Sequence, residues 1–332
     1  MSHAKISSQA DAVAHLINAL GFTPTSSVAL HLLTDGQVLA SLRVDVVNAQ
    51  DARPWAVQIA SLLARIDNVT GVILISFENE RVMTDGQYEE LGDQLARIGA
   101  PIVRTIRVAE GEVMDYDGDR TDAVSWDEVQ TSPVGMDAHL QLTKPLRQVE
   151  DLPEYDDRLT TEIDQQAEIL TGYDFTEFDQ RDMLREQFAE LVTEYQRTQQ
   201  VTDQMIAWIG GAMCSKATRD MLTASTATSD MSWEKITDAL VGDAVVEDQE
   251  FFDDAMDLIF HCAHYLYGEE FAHVLCVLGW GHWTTGRGSL GRQFILKASQ
   301  EEPGHRLSEL LGTLINQGKL PATALRNPHA ES

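Results

Sequence analysis

Hydrophobic positions repeat with two different periods along the chain. Up to residue 143, short apolar runs alternate with helical spacings. From Tyr155 onward the helical spacing is the only one left. Ser7 or Ser8 can cap a first helix, in which Val13, Leu16, Ile17 and Leu20 share a face and which Gly21 stops. Ser27–Thr34 reads as a strand, Asp35-Gly36 as a two-residue hairpin turn, and Gln37–Val47 as the returning strand. Pro54 suits the first turn of a helix to Ile66, with Trp55, Ile59, Leu62, Leu63 and Ile66 on its inner side. Gly71–Phe77 is a continuous apolar run, the mark of a strand covered on both faces. A helix over Asp85–Ile98, a strand over Pro101–Val108 and a partner strand over Glu112–Tyr116 complete the pattern, and Ser132-Pro133 opens a short further helix.

This order predicts a three-layer α/β domain with a mixed sheet over residues 1–143. Lys144–Glu154, polar and rich in proline, reads as a linker. Residues 155–326 then form an all-helical domain, and 327–332 a disordered tail. Met183, Leu184, Phe188, Leu191, Val192 and Tyr195 make one helical stripe. Further helices are expected over Val201–Cys214, Ala217–Leu222, Trp233–Leu240 and Phe252–Leu266, then at about 269–283, 289–300 and 305–317. The small polar stretch Ala224–Ser232 reads as a loop.

Charge narrows the function classes. The chain carries 24 basic and 53 acidic residues, a net charge of −29. Nucleic-acid and anionic-membrane surfaces repel such a chain, whereas a basic protein attracts it. Three cysteines, Cys214, Cys262 and Cys276, make no disulfide framework and fit a reducing compartment. With no apolar run at the N-terminus and no long apolar segment, a cytoplasmic location is the expectation.

Four features invite chemistry. Gly286, Gly288 and Gly291 spell G-x-G-x-x-G, but a helix precedes them and no strand follows, so they read as an inter-helix turn and no cofactor is expected. Asp115, Asp117, Asp119 and Asp122 flank Gly118 and supply hard oxygen ligands, without the order of an EF-hand. Glu270 and His273 have the i, i+3 spacing of di-iron bundles, and a zinc site could draw on Cys262, His273 and Cys276, although the C-x13-C separation matches no known framework. The second copy a di-iron site needs is missing, because Glu302 and His305 enclose Pro303-Gly304 and cannot share a regular helix. Asp243–Asp257 holds seven acids and no base. Within it Glu247, Asp248, Glu250, Phe251, Asp253 and Asp254 are the candidate interaction residues. No arrangement places a serine, a histidine and an acid together for nucleophilic catalysis.

Leu275, Leu278, Gly279, Ile295, Ala298 and Pro303 recur as in a tetratricopeptide-like repeat, which residues 272–305 resemble, with Gly291 and His282 as departures. Nearly the whole chain resembles an actinobacterial family, the domain of unknown function numbered 4192. The resemblance rests on Leu20-Gly21-Phe22 with Pro24, Ser27-Val28, Leu42-Arg43-Val44-Asp45 and Ser132-Pro133-Val134, and on a closing pattern from Trp280 to Pro321. It implies an α/β domain joined to a helical one and brings no activity. The expectation is therefore a non-enzymatic interaction module that presents an acidic helical surface to a partner protein, basic if charge selects it, or to a second copy. An enzyme with its site in the inter-domain cleft is the alternative, and an acidic nucleic-acid mimic the second.

Overall fold

The computed structural model describes residues 6–20, 23–78, 82–116, 122–136 and 147–325. Gly21, Asp117, Asp119, residues 144–146 of the expected linker, the end of the helix expected after Ser132 and the C-terminal tail lie outside these. The chain divides into two compact units, Met1–Leu146 and Arg147–Ser332.

The first unit is a six-stranded mixed sheet with helices. Its elements are α1 (Gln9–Leu20), β1 (Ser27–Thr34), β2 (Gln37–Asp45), α2 (Ala52–Leu63), β3 (Gly71–Phe77), α3 (Asp85–Arg97), β4 (Ile102–Ala109), β5 (Glu112–Asp115), β6 (Val124–Ser125) and α4 (Trp126–Thr131). The sheet order is β2-β1-β3-β4-β5-β6. Only β3 and β4 run parallel, joined by the α3 crossover; every other neighbour is antiparallel. Alternation divides the side chains between two cores. Val28, Leu30, Leu32, Val72 and Leu74 pack with α2 and α3, whereas Ala29, Ile73, Ile75 and Phe77 pack with α1. All of β3 is buried, which is why its sequence is continuously apolar.

The start of α1 is tied by a reciprocal cap. Asp11 accepts from the Ser7 and Ser8 amides and the Ser7 hydroxyl, while Ser8 Oγ accepts from the Asp11 amide. Burial acts to raise the Asp11 pKa, but the Ser7 and Ser8 donors outweigh it and hold the carboxyl below its ordinary value. His31, fully buried on β1, donates from Nε2 to the Ala12 carbonyl at 2.9 Å and accepts at Nδ1 from the Ser41 hydroxyl at 2.9 Å. Burial pushes its pKa down to about 4. The folded ring is thus neutral where the unfolded ring, with pKa about 6.5, begins to charge. Its contribution to stability is present above pH about 6.5 and is lost as pH falls towards 4. NMR titration of the folded chain is expected to show no protonation of His31 between pH 8 and 5. A midpoint near 6.5 would contradict this.

The second unit is helical: α5 (Thr160–Thr171), α6 (Phe178–Thr198), α7 (Asp203–Met213), α8 (Lys216–Ala227), α9 (Trp233–Leu240), α10 (Gln249–Cys262), α11 (Gly268–Thr284), α12 (Gly288–Glu301), α13 (Arg306–Asn316) and α14 (Ala322–Leu325). Arg147 belongs to it, pairing with Asp257 at 2.9 Å and lying over the Phe260 ring. Among the described residues no helix is long and apolar enough to cross a membrane.

Two segments depart from the sequence pattern. Ala224–Ala227, expected as loop, continues α8. The Ser225 and Thr226 hydroxyls bond back to the Leu222 and Thr223 carbonyls, which lets both residues be buried. Trp126–Thr131, to which the sequence pattern assigned nothing, is helical behind a Ser125–Glu128 capping box.

The glycines of the 286–291 motif serve helix pairing. Gly286 turns the chain with φ +86°. Gly291 faces Gly279 across the α11–α12 contact, and a Cβ on Gly291 would come within 2.5 Å of the Gly279 carbonyl oxygen. Trp280 and Trp283 are buried beside this contact, their indole N–H groups donating to the Leu240 and Lys319 carbonyls.

Candidate functional site

The helical unit exposes two aromatic rings held by one buried cation. Arg181, in the first turn of α6, is 4% exposed. Its Nε donates to the Met231 carbonyl at 2.8 Å, and its Nη1 to the Phe175 and Thr176 carbonyls at 2.6 and 3.0 Å. The guanidinium carbon lies 5.5 Å from the Phe178 ring centroid and 4.7 Å from that of Trp233. Both rings are about half exposed, at 47% and 50%. Arg181 thereby ties the start of α6 to the turn before α9. Exposed acids adjoin both rings in the chain: Glu177 and Asp179 beside Phe178, and Asp230 and Glu234 beside Trp233.

The acidic stretch expected to bind a partner reaches the same turn. Glu247 accepts from the Thr228 hydroxyl at 2.7 Å, and from the Ser229 amide and hydroxyl at 2.8 Å each. Burial acts to raise the Glu247 pKa, and these donors together hold it below its ordinary value. Asp248 caps α10, accepting from the Phe251 amide at 3.0 Å. Glu250 and Asp253 are exposed. Phe251 is half-buried against Phe188, and Asp254 is buried. Four of the six expected interaction residues thus face solvent, while Phe251 and Asp254 belong largely to the packing of α10.

The expected metal ligands are rearranged. Asp115 forms a two-pronged pair with Arg104, at 2.8 and 3.1 Å, and Asp122 offers its backbone carbonyl to Gln9. Asp117 and Asp119 lie outside the described residues. The acid that meets His273 is Glu269, at 3.8 Å, one helical turn before it; Glu270 has no part in the cluster. His305 joins them from the N-cap of α13, so that one ligand atom from each of Glu269, His273 and His305 lies within 4.8 Å of the others. The Pro303-Gly304 break removes His305 from helix and puts it at a cap, from which it reaches α11. Cys262 and Cys276 are buried, and burial pushes the Cys276 thiol up to about 12 and Cys262 upward too. Neither is part of the cluster.

A family model for a domain of unknown function, DUF4192, matches residues 10–322. The chain belongs to the DUF4192 family. No curated protein and no solved structure matches it.

One further cluster in this DUF4192 chain lies at the carboxyl end of the parallel strands. Tyr88 donates to Ser76 Oγ at 2.7 Å, and Ser76 donates to Glu78 Oε1 at 3.2 Å. Arg107 binds the other oxygen of Glu78, whose side chain is only 2% exposed. Burial, first, and the Glu78 carboxylate both raise the Tyr88 pKa. Such a strand end is where open α/β sheets often bind ligands. Here both Glu78 oxygens are already taken, one by Ser76 and the other by Arg107, so the cluster works as a closed network holding α3 on the sheet.

Proposed function

We propose that the helical unit is a protein-interaction module that binds a basic segment of a partner protein. The observation that carries this reading is the exposed Phe178–Trp233 pair on buried Arg181, continuous through the 228–232 turn with the acidic start of α10. Half-exposed aromatic rings held by a fixed guanidinium keep their positions in the free protein, so little ordering is lost on binding. Glu177, Asp179, Asp230, Glu234, Asp248 and Glu250 supply the surrounding negative charge. A lysine- or arginine-rich segment can place its aliphatic stems on the rings and its charges on these acids. The net charge of −29 draws the same partner from a distance.

The test is fluorescence anisotropy of a labelled peptide of alternating arginine and leucine added to the full chain. Binding is expected, weakening as salt rises past the point where the screening length falls to about 10 Å. The Phe178→Ala/Trp233→Ala double variant is expected to lose at least about tenfold in affinity, the scale of a single aromatic hot spot. A lysine-free, acidic peptide of the same length should not bind. Equal affinity for wild type and double variant would refute the proposed surface.

A further inference from the structure

We propose that Glu269, His273 and His305 form a binding site for one divalent transition-metal ion of the zinc type, independent of the docking surface. Two imidazoles and one carboxylate are a ligand set that suits zinc, and three protein ligands leave the fourth tetrahedral position to water.

His273 supplies the strongest argument. Its residue is 2% exposed, and its Nδ1 donates to the Met213 carbonyl at 2.7 Å, which fixes the ring and leaves the lone pair on Nε2. That Nε2 is buried, turned towards Glu269, and has no hydrogen-bond partner among the described residues. A buried basic nitrogen without a partner is costly unless something occupies its lone pair. The backbone bond at the opposite nitrogen is the usual support for a metal-ligating histidine.

His305 comes from the other side of the cluster. Its Nδ1 accepts from the Ser308 amide at 3.4 Å and lies 3.5 Å from Cys276 Sγ, so Nε2 is the nitrogen left for the ion. Taking the ion at Nε2 moves the ring proton to Nδ1; the bond accepted from the Ser308 amide is given up and the Cys276 sulfur can accept the proton instead, so none leaves the site.

Two cations adjoin the site. Arg219 is bound to Asp220 at 2.6 Å. Lys216 stands 3.6 Å from Glu269, an exposed pair of small net worth, so an arriving dication displaces it at little cost. Zinc bonds of about 2.0 Å in a tetrahedron bring ligand atoms to roughly 3.3 Å apart. The His273–Glu269 distance is already 3.8 Å. Glu269 is half-exposed at the start of α11 and has the freedom to close its own distance to the ion.

The test uses the full chain after chelator treatment. Zinc is titrated by calorimetry, and cobalt(II) by its visible absorption. One equivalent is expected, with the intense bands of tetrahedral cobalt carrying nitrogen and oxygen ligands. Glu269→Gln, at an exposed position that leaves the fold intact by circular dichroism, is expected to weaken binding at least about 10- to 100-fold. Lys216→Gln, which removes the competing cation, should bind as tightly as wild type or more so. The proposal is overturned if wild type takes up no stoichiometric metal, if Glu269→Gln binds like wild type, or if Lys216→Gln binds more weakly.

Discussion

Arg181→Ala is expected to destabilise the helical unit by about 3–5 kcal/mol, measured as a fall in the denaturant midpoint at constant slope. The side chain is buried and donates to three carbonyls, those of Phe175, Thr176 and Met231. Truncation leaves these without their donor, at about 1 kcal/mol or more each. It also removes the cation beneath Phe178 and Trp233 and opens a cavity between α6 and the turn before α9. Arg181→Lys is expected to recover little, because a single ammonium cannot reach carbonyls on two sides while lying flat against two rings. A loss below about 1 kcal/mol for Arg181→Ala would show that the two segments are held by other contacts.

Gly291→Ala is expected to cost about 2–3 kcal/mol, although the same change in an ordinary helix is stabilising. The added Cβ would lie 2.5 Å from the Gly279 carbonyl oxygen and 3.1 Å from the Trp283 amide nitrogen, both backbone atoms that cannot turn aside. The helices α11 and α12 must move apart, and the packing of Trp283 and Ile295 loosens with them. Gly312→Ala, on neighbouring α13, is the matched control. Its Cβ would meet only a methyl of Ile295 at 3.7 Å, so a gain of up to about 1 kcal/mol is expected. Unfolding followed by tryptophan fluorescence separates the two outcomes. If both variants behave alike, the close approach of the two helices is not what the glycine provides.

Where structure depends on neighbouring residues alone, the sequence was enough to read it. Asp35-Gly36, expected as a hairpin turn, adopts positive φ at 49° and 80°, the backbone that a two-residue turn needs. Gly71–Phe77 is a strand over the expected residues because full burial leaves only apolar side chains. Ala224–Ala227 was misread because composition reports small and polar residues but not the burial that turns their hydroxyls back onto the helix. The Ser125–Glu128 box was present in the sequence and could have marked the helix that follows it.

The sites were less legible for a geometric reason. Helical spacing says which residues share a face, so His273 could be paired with either preceding acid. Selecting Glu269 over Glu270 needs the position of His305, which lies 32 residues later, past the Pro303-Gly304 break between helices. Arg181 likewise meets Met231 and Trp233 about 50 residues away, and no local pattern announces that contact. The acidic run of α10 was visible as composition. That Glu247 is spent on the 228–229 turn and Asp248 on a cap appears only once the partners are in place.

The docking surface is tested most directly by hydrogen exchange of the full chain with and without the arginine–leucine peptide. Added protection is expected in three segments: the start of α6 around Phe178, the turn leading into Trp233, and the start of α10 around Asp248 and Glu250. Protection confined to other segments, or none at saturating peptide, would contradict the account.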